Sequence, residues 1–117
     1  MKIVKVTYTL KSEYASQNQN NIKNVMADLQ NLHHPGINYN SCVSVDGKTF
    51  IHTAFFDSEE DEKVLLGLPS FRFFQEQLKL SGPEVPPKQE LLTLVGSSKD
   101  IFKPWEEGER EVLRYAF

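Results

Sequence analysis

The sequence lacks several features that would identify a function directly. It has a single cysteine, Cys42, among 117 residues, so neither an intramolecular disulfide nor a cysteine-based zinc or iron–sulfur site can form within one chain. No stretch approaches the roughly 20 apolar residues of a membrane span. The first residues also lack the unbroken apolar core of a signal peptide. We therefore expect a cytoplasmic protein with no membrane association.

An excess of charge of either sign is also missing. Thirteen Lys and Arg residues against 16 Asp and Glu residues give a formal net charge of −3, which is not the basic footprint of a nucleic-acid-binding protein. A glycine-rich phosphate loop, metal-ligand spacing and a serine–histidine motif are absent as well. We therefore expect no nucleic-acid partner, no metal site and no cofactor.

What is present is the composition of one globular domain, with 39% hydrophobic and 25% charged residues. Residues 2–10 alternate with a period of two, which is typical of a strand. An apolar stripe at helical spacing then runs from Ile22 to Leu32. Ser16 and Gln19 form a capping-box pattern that predicts the start of this helix, and the segment 33–36, with its proline and glycine, predicts its end.

The middle of the chain predicts a β-hairpin. The runs 37–46 and 48–56 flank Asp46-Gly47, a strong signal for a tight turn between strands. This turn pairs Val45 with Lys48 and Ser41 with His52. The more apolar face, which we assign to the core, holds Tyr39, Val43, Val45, Phe50, His52, Ala54 and Phe56.

The second half predicts two helical segments and a further strand. Ser58 precedes an acidic first turn, which favours a helix N-terminus. Pro69 interrupts this helix, and Ser70 can cap a second segment. The side chains that this segment is expected to bury are Phe71, Phe73, Phe74 and Leu78. After a stiff Pro86-Pro87 connector, residues 89–96 predict a fourth strand buried on both faces.

The order βαββαβ predicts a ferredoxin-like α+β fold, in which both helices cover one face of a four-stranded antiparallel sheet. The uncovered face would carry Ile3, Ile51, Phe55, Leu91 and Val95. Removing these side chains from water is worth several kcal/mol at roughly 25 cal/mol per Å². A second copy packed sheet against sheet would achieve this, so we predict a homodimer. The alternative is that the chain's own tail covers the face.

Residues 1–96 resemble the dimeric α+β barrel proteins, in particular the antibiotic-biosynthesis monooxygenase-like domains. Four features carry the resemblance. The first strand runs straight into a helix, and Pro35-Gly36 precedes the second strand. The third strand, 50–56, leads into the acidic segment 57–60. The segment 68–74 combines small and aromatic residues.

The resemblance implies a homodimeric barrel in which each sheet lines a pocket for a small apolar or aromatic ligand. It also implies cofactor-independent oxygenation, or isomerisation, of an aromatic or ketone-bearing molecule as the expected reaction class. Family members that degrade haem use a histidine in the second helical region, and no histidine follows His52 here. Haem degradation is therefore not expected. A non-catalytic binding module with a packed barrel interior is the alternative.

Candidate site residues come from the strands. His52 can act as a general base near neutral pH, although a hydrogen-bonded core histidine is the competing interpretation. Asn40 is the second candidate catalytic residue, because its amide could bind a carbonyl or phenolate oxygen. The expected ligand-binding groups, which the alternation places on the uncovered face, are Lys5, Thr7, Asn38, Thr53 and Phe55. These groups could instead satisfy one another across a dimer interface.

The remaining candidates are weaker. Cys42 is expected to fill a small space in the core rather than to act as a nucleophile. His33 and His34 lack the spaced partners of a metal site. The tail, 97–117, carries several aromatic residues, and we expect it to dock on the body or on the partner subunit. Trp105 in this tail is a candidate ligand contact.

Overall fold

The computed structural model describes residues 1–102, and these form a four-stranded antiparallel sheet with three helices on one of its faces. The elements in chain order are β1 Lys2–Thr9, α1 Ser12–Leu32, β2 Ile37–Val43, β3 Thr49–Phe56, α2 Glu59–Gly67, α3 Pro69–Leu80 and β4 Val85–Leu92. The strand order is β2-β3-β1-β4. This is the predicted ferredoxin-like α+β fold.

The two faces of the sheet follow the predicted alternation. Along β3 every even-numbered residue from Phe50 to Phe56 is buried, whereas every odd-numbered residue is only partly buried. Val6 pairs with His52 and Tyr8 with Phe50, so the even-numbered residues of β1 share this face. The face packs against α1 and α3, and its centre is a cluster around Tyr8, Phe50 and Leu10.

Helix α1 is longer than the sequence predicted. It begins at Ser12 after Lys11, which offers no side-chain cap, and Ser16 lies inside the helix instead of capping it. The polar segment that follows is held by tertiary bonds, since Asn18 and Asn21 are buried and bind tyrosine hydroxyls. These bonds compensate for the weak helix propensity of asparagine.

The hairpin turn is wider than predicted. Strand β2 ends at Val43, the Ser44 amide donates to the Thr49 carbonyl, and Val45 is fully exposed rather than part of the core face. The Asp46 carboxylate accepts from the backbone amides of Lys48 and Thr49. A side chain that satisfies the turn's own amides favours a longer loop over a two-residue one. The deeper pairs of the register, including Ser41 with His52, are as predicted.

The junction of α2 and α3 is partly as predicted. Ser58 caps α2 in a capping box with Asp61, and Pro69 separates the helices. Leu68, not Ser70, is the N-cap of α3, because Pro69 already occupies its first turn. Phe71, Phe74 and Leu78 are buried as expected. Phe73, which points away from this stripe, is exposed.

Strand β4 starts four residues earlier than predicted and is mostly exposed rather than buried on both faces. It is an edge strand, where prolines such as Pro86 and Pro87 are tolerated because no neighbour needs their missing amides. A bulge between the pairs Thr7–Lys88 and Thr9–Val85 absorbs one extra residue. Leu91 therefore lies on the helix side beside Val4, and Val95 lies beyond the strand.

A close contact at Gly36 gives a first testable prediction. A Cβ at this position would collide with the Asp61 carboxylate, which caps α2 through Ser58 and pairs with His34 at 2.6 Å. We expect Gly36→Ala to lower the free energy of unfolding by about 1–2 kcal/mol, since it displaces an N-cap partner. Urea denaturation measures the loss. Gly67→Ala is the control, because nothing lies within 4 Å of its Cβ; equal effects of the two substitutions would contradict the argument.

Candidate functional site

A cavity of about 510 Å³ lies between the helix-covered face of the sheet and α3. Its walls are mainly aliphatic, aromatic and proline side chains, with a few polar groups among them, which is the usual composition of a small-molecule pocket. The lining residues are Val6, Tyr8, Tyr39, His52, Phe74, Gln75, Leu78, Lys79, Pro83, Pro86, Pro87 and Gln89. The strands, including Pro86, Pro87 and Gln89 of β4, therefore supply one wall, and α3 supplies the other, with Pro83 between α3 and β4.

His52 and two tyrosines form a hydrogen-bonded group on the sheet wall. The Tyr8 hydroxyl lies 2.7 Å from Nε2 of His52, and the Tyr39 hydroxyl lies 2.7 Å from its Nδ1. Both imidazole nitrogens are therefore engaged. Asn18 extends the group, because its Nδ2 donates to the Tyr8 hydroxyl oxygen at 2.9 Å. We call these four residues, Asn18, Tyr8, His52 and Tyr39, the tyrosine–histidine chain.

The packing around His52 holds its ring in place. Tyr8 stacks on it with ring centroids 5.3 Å apart, and Phe74 of α3 lies at 5.4 Å. Tyr39 meets it edge-on at 5.7 Å, while Phe71 packs on both Tyr39 and Phe74. A ring enclosed by aromatic neighbours on several sides has little freedom to rotate. The orientation of the two imidazole nitrogens is thus fixed by packing as well as by hydrogen bonds.

Burial determines the ionisation of the chain. His52 is only 4% exposed, and burial lowers its pKa from 6.5 to about 4, because the low-dielectric surroundings disfavour imidazolium. Burial raises the pKa of both Tyr8 and Tyr39, since phenolate is disfavoured in the same way. All three groups are therefore neutral at neutral pH. They can form hydrogen bonds with a ligand while they remain uncharged.

The mouth of the cavity is more polar than its interior. Gln75 and Lys79 are exposed residues on successive turns of α3, and Gln89 lies on the facing strand β4. Lys79 has no carboxylate partner among residues 1–102. The segment 83–87 supplies three prolines to the rim. A ligand with an apolar body would therefore meet polar groups at both ends, the tyrosine–histidine chain and this mouth.

The predicted site residues divide between the two faces of the sheet. His52 lines the cavity, but Lys5, Thr7, Thr53 and Phe55 lie on the opposite, uncovered face. Asn40 pairs with Thr53 and Asn38 with Phe55 in the register, and the Asn40 amide donates to the Asn38 side chain. The predicted pairing of His52 with Asn40 in one catalytic site is therefore not what the structure brings together, because successive strand residues point to opposite faces.

Other predicted groups also have a defined place. Asn40 and Asn38 border two separate clefts of about 330 and 350 Å³ between α1 and the β2 edge. Cys42 is exposed on β2, so the prediction that it fills a space in the core was wrong: β2 is an edge strand and this residue points to the uncovered face. His34 pairs with Asp61. Trp105 and the rest of the tail from residue 103 lie outside the described residues.

Sequence reasoning placed Tyr39 on the core face but assigned neither Tyr39 nor Tyr8 to the site, and it missed Asn18. The available signal was positional. Val6 and Ser41 pair with His52 across β1 and β2, so Tyr8 and Tyr39 lie two residues away on the same face. A histidine with a tyrosine diagonal to it on each neighbouring strand is within side-chain reach of both. Asn18 gave no such signal, since its position depends on how α1 packs.

Neither a metal cluster nor a membrane span is found in the part of the chain that the structure describes. Across residues 1–102, histidine, cysteine and acidic side chains nowhere gather in a group of three or more that could hold a metal ion. None of the helices in this range has both the length and the apolar character needed to cross a membrane.

The described elements define an α+β protein with a helix-covered antiparallel sheet, and known structures share this fold. A crystal structure of an antibiotic biosynthesis monooxygenase superposes with a TM-score of 0.69 at 11% identity, covering 82% of this chain and all of that chain. Rv0793 from Mycobacterium tuberculosis gives a TM-score of 0.69 at 13% identity, covering 84% of this chain and 98% of that one.

SnoaB, a cofactor-independent oxygenase from Streptomyces nogalater, gives a TM-score of 0.61 at 13% identity, covering 85% of this chain and 98% of its own. The chain thus shares the ferredoxin-like α+β fold of these structures, which confirms the subunit fold that was predicted. At these identities the likeness establishes the fold alone. No protein-family model matches the sequence, and no curated protein is similar to it.

Proposed function

We propose that this protein binds a small, largely apolar ligand in the cavity between the sheet and α3. The observation that carries the proposal is an open-mouthed cavity of about 510 Å³ whose sheet wall holds a neutral histidine between two tyrosine hydroxyls. A space of this size suits a flat molecule of two or three fused rings. The tyrosine–histidine chain supplies the polar group that would orient it.

The reaction we propose is cofactor-independent oxygenation of an activated methylene next to an aromatic ketone. Loss of a proton from the CH₂ group gives an enolate. Dioxygen then accepts the electrons: one oxygen atom becomes a C=O group on that carbon, and the other leaves in water. The hydroxyl of Tyr39 can stabilise the enolate oxygen, because it lies in the wall of the cavity and burial keeps it protonated. The name of SnoaB as a cofactor-independent oxygenase supports this reaction class.

One observation favours a non-catalytic binding module as the second candidate. Among the described residues that line the cavity there is no carboxylate, and both nitrogens of His52 are already bonded. A general base must reach the proton that it removes. The pocket could therefore hold a ligand without turning it over.

Blocking the cavity mouth tests the location of the site. We expect Gln75→Trp to weaken binding of a flat ketone such as anthrone at least tenfold, since the indole would occupy the mouth. Glu76→Trp is the matched control, because Glu76 is the next, equally exposed residue of α3 and does not line the cavity. Fluorescence titration measures binding, and an oxygen electrode measures dioxygen consumption.

The same titrations decide between the two faces of the sheet. If Lys5→Ala and Asn40→Ala weaken binding while Gln75→Trp does not, the ligand occupies the uncovered face and the proposal fails. If the ligand binds in the cavity but dioxygen is not consumed, the binding module is the correct function.

We also propose that the protein is a homodimer joined through the uncovered face of the sheet. Within the described residues this face carries Ile51, Phe55 and Leu92 among polar neighbours, together with Ile3, which is only 5% exposed, and none of the described helices covers it. Leu92 takes the place predicted for Leu91, because β4 is shifted in register. Ile3 pairs with Phe55 and with Leu92 across adjacent strands, and Ile51 lies further along β3 beside Thr7 and Cys42. Apolar groups on a sheet face without a helix over it are suited to self-association.

A further inference from the structure

The hydrogen bonds of the tyrosine–histidine chain run in one direction from donor to acceptor, and the distances between its atoms do not show which direction this is. Each of its four residues belongs to a different element: Asn18 to α1, Tyr8 to β1, Tyr39 to β2 and His52 to β3. A neutral imidazole carries one N–H donor and one acceptor nitrogen, and its hydrogen-bond partners decide which nitrogen is which. The hydrogen-bond partner at the buried end of the chain therefore determines whether the residue at the other end donates or accepts a hydrogen bond.

Asn18 is the hydrogen-bond partner at the buried end of the chain. It is 0% exposed. Its Nδ2 donates to the Tyr8 hydroxyl oxygen, and its Oδ1 is buried with no hydrogen-bond partner among the described residues. Tyr8 is 1% exposed, so its own O–H must find an acceptor inside the protein. The acceptor within hydrogen-bond distance is Nε2 of His52, at 2.7 Å.

The rest of the chain follows from the valence of the imidazole. Nε2 accepts from Tyr8, so the single proton of neutral His52 is on Nδ1. The Nδ1–H then donates to the Tyr39 oxygen at 2.7 Å. The Tyr39 hydrogen is left without an acceptor among the described residues, and Tyr39 lines the cavity. Its O–H is therefore available to a ligand.

We propose that Asn18 is a positioning residue: by donating to Tyr8 it holds His52 in the Nδ1–H form and makes Tyr39 a hydrogen-bond donor into the cavity. The part of this proposal that concerns ligands rests on the proposed function. It specifies that the group bound at Tyr39 is an oxygen that accepts, such as a ketone, quinone or enolate oxygen. The part that concerns the tautomer of His52 holds for the protein without ligand.

Asn18→Asp is expected to reverse the direction of the hydrogen bonds in the tyrosine–histidine chain, with little change in the shape of the side chain at position 18. A carboxyl group accepts where the amide donated, so the Tyr8 O–H turns to the new carboxylate and Tyr8 becomes an acceptor for Nε2–H. Nδ1 then accepts from Tyr39, whose O–H no longer points into the cavity. Nitrogen-15 NMR of the imidazole distinguishes the two tautomers directly.

Asn21→Asp is the matched control. Asn21 is a buried asparagine of the same helix, and its Nδ2 donates to the hydroxyl of Tyr14 at 3.2 Å. The same substitution there alters an equivalent amide–tyrosine bond that does not reach His52. If the buried acid of Asn18→Asp prevents folding, Asn18→Leu tests whether the tautomer of His52 depends on residue 18. This substitution removes the donor to Tyr8, so His52 should no longer prefer the Nδ1–H form.

The expected result is Nδ1–H in the wild type and in Asn21→Asp, and a gain of Nε2–H in Asn18→Asp or Asn18→Leu. An Nε2–H wild type, or a tautomer that does not respond to either change at Asn18, would overturn the proposal. A role in packing alone would leave the tautomer unchanged in Asn18→Asp, which has nearly the same shape.

Paired probes test the consequence for binding. α-Tetralone carries a ketone oxygen, and tetralin is the corresponding hydrocarbon. We expect the wild type to prefer α-tetralone over tetralin by about 2- to 10-fold, as one neutral hydrogen bond provides, and expect Asn18→Asp and Tyr39→Phe to lose this preference. A retained preference in both variants would refute the assignment of Tyr39 as donor. If neither probe binds the wild type, while the tautomer results hold, the proposed function fails and the role of Asn18 stands.

Discussion

Acidification should destabilise this protein through protonation of His52. The folded-state pKa of His52 is about 4, against 6.5 for an unperturbed histidine. The unfolded chain therefore takes up a proton at a higher pH than the folded protein does. As a consequence, the His52 contribution is fully present above about pH 6.5, declines as the pH falls towards 4, and is constant below the folded pKa.

The size of the effect follows from the shift. Each pKa unit corresponds to about 1.4 kcal/mol, so the difference between 6.5 and about 4 is worth about 3 kcal/mol. The cause is burial, because the side chain is held among Tyr8, Tyr39 and Phe74, and no carboxylate of residues 1–102 is bonded to it. A paired carboxylate would have favoured the imidazolium and reduced the effect.

Urea denaturation of the wild type and of His52→Gln, from about pH 7.5 to about pH 4, measures this contribution. All groups other than residue 52 are the same in both proteins, so their contributions cancel in the difference. We expect the advantage of the wild type over the variant to shrink by about 3 kcal/mol over this range. A difference that stays constant with pH would show that His52 takes up its proton equally in the folded and unfolded states.

The sequence was sufficient for the parts of the fold that local chemistry determines. The strands β1 and β3, the helix N-terminus at Ser58 and the break at Pro69 were predicted from the properties of neighbouring residues, and the structure confirms each. The start of α1 and the bounds of β4 depend on partners distant in sequence. Asn18 is stable in a helix only because Tyr8 is nearby, and β4 obtains its register from a bulge against β1.

The site was harder to predict than the fold for a physical reason. The mixed polar and apolar composition of the uncovered face suggested a pocket there, with Lys5, Thr7 and Asn40 as its polar groups. The pattern assigns the helix face to the core because its residues are apolar or aromatic. Whether aromatic residues pack completely or leave a cavity depends on the distance between α3 and the sheet. That distance is set near the mouth by the segment 83–87, and no periodicity in the sequence encodes it.

A lysine in the centre of the uncovered face should convert the proposed dimer to a monomer. Ile51 lies on a central strand, opposite Thr7 on β1 and Cys42 on β2, and is only partly buried in the single chain. In a sheet-to-sheet dimer an Ile51→Lys substitution would place a charge inside the interface, where burial without a partner costs several kcal/mol. The fold of each subunit should survive, because Ile51 points away from the helix-covered core.

Size-exclusion chromatography with light scattering gives the mass directly, and circular dichroism shows whether the subunit is folded. Leu66→Lys is the matched control, since Leu66 is exposed on α2 and lies on the helix side of the sheet. We expect a dimer for the wild type and Leu66→Lys and a folded monomer for Ile51→Lys. A monomeric wild type would refute sheet-to-sheet association. A dimeric Ile51→Lys would place the contact elsewhere, and the uncovered face would then be open to solvent or to the chain's own tail.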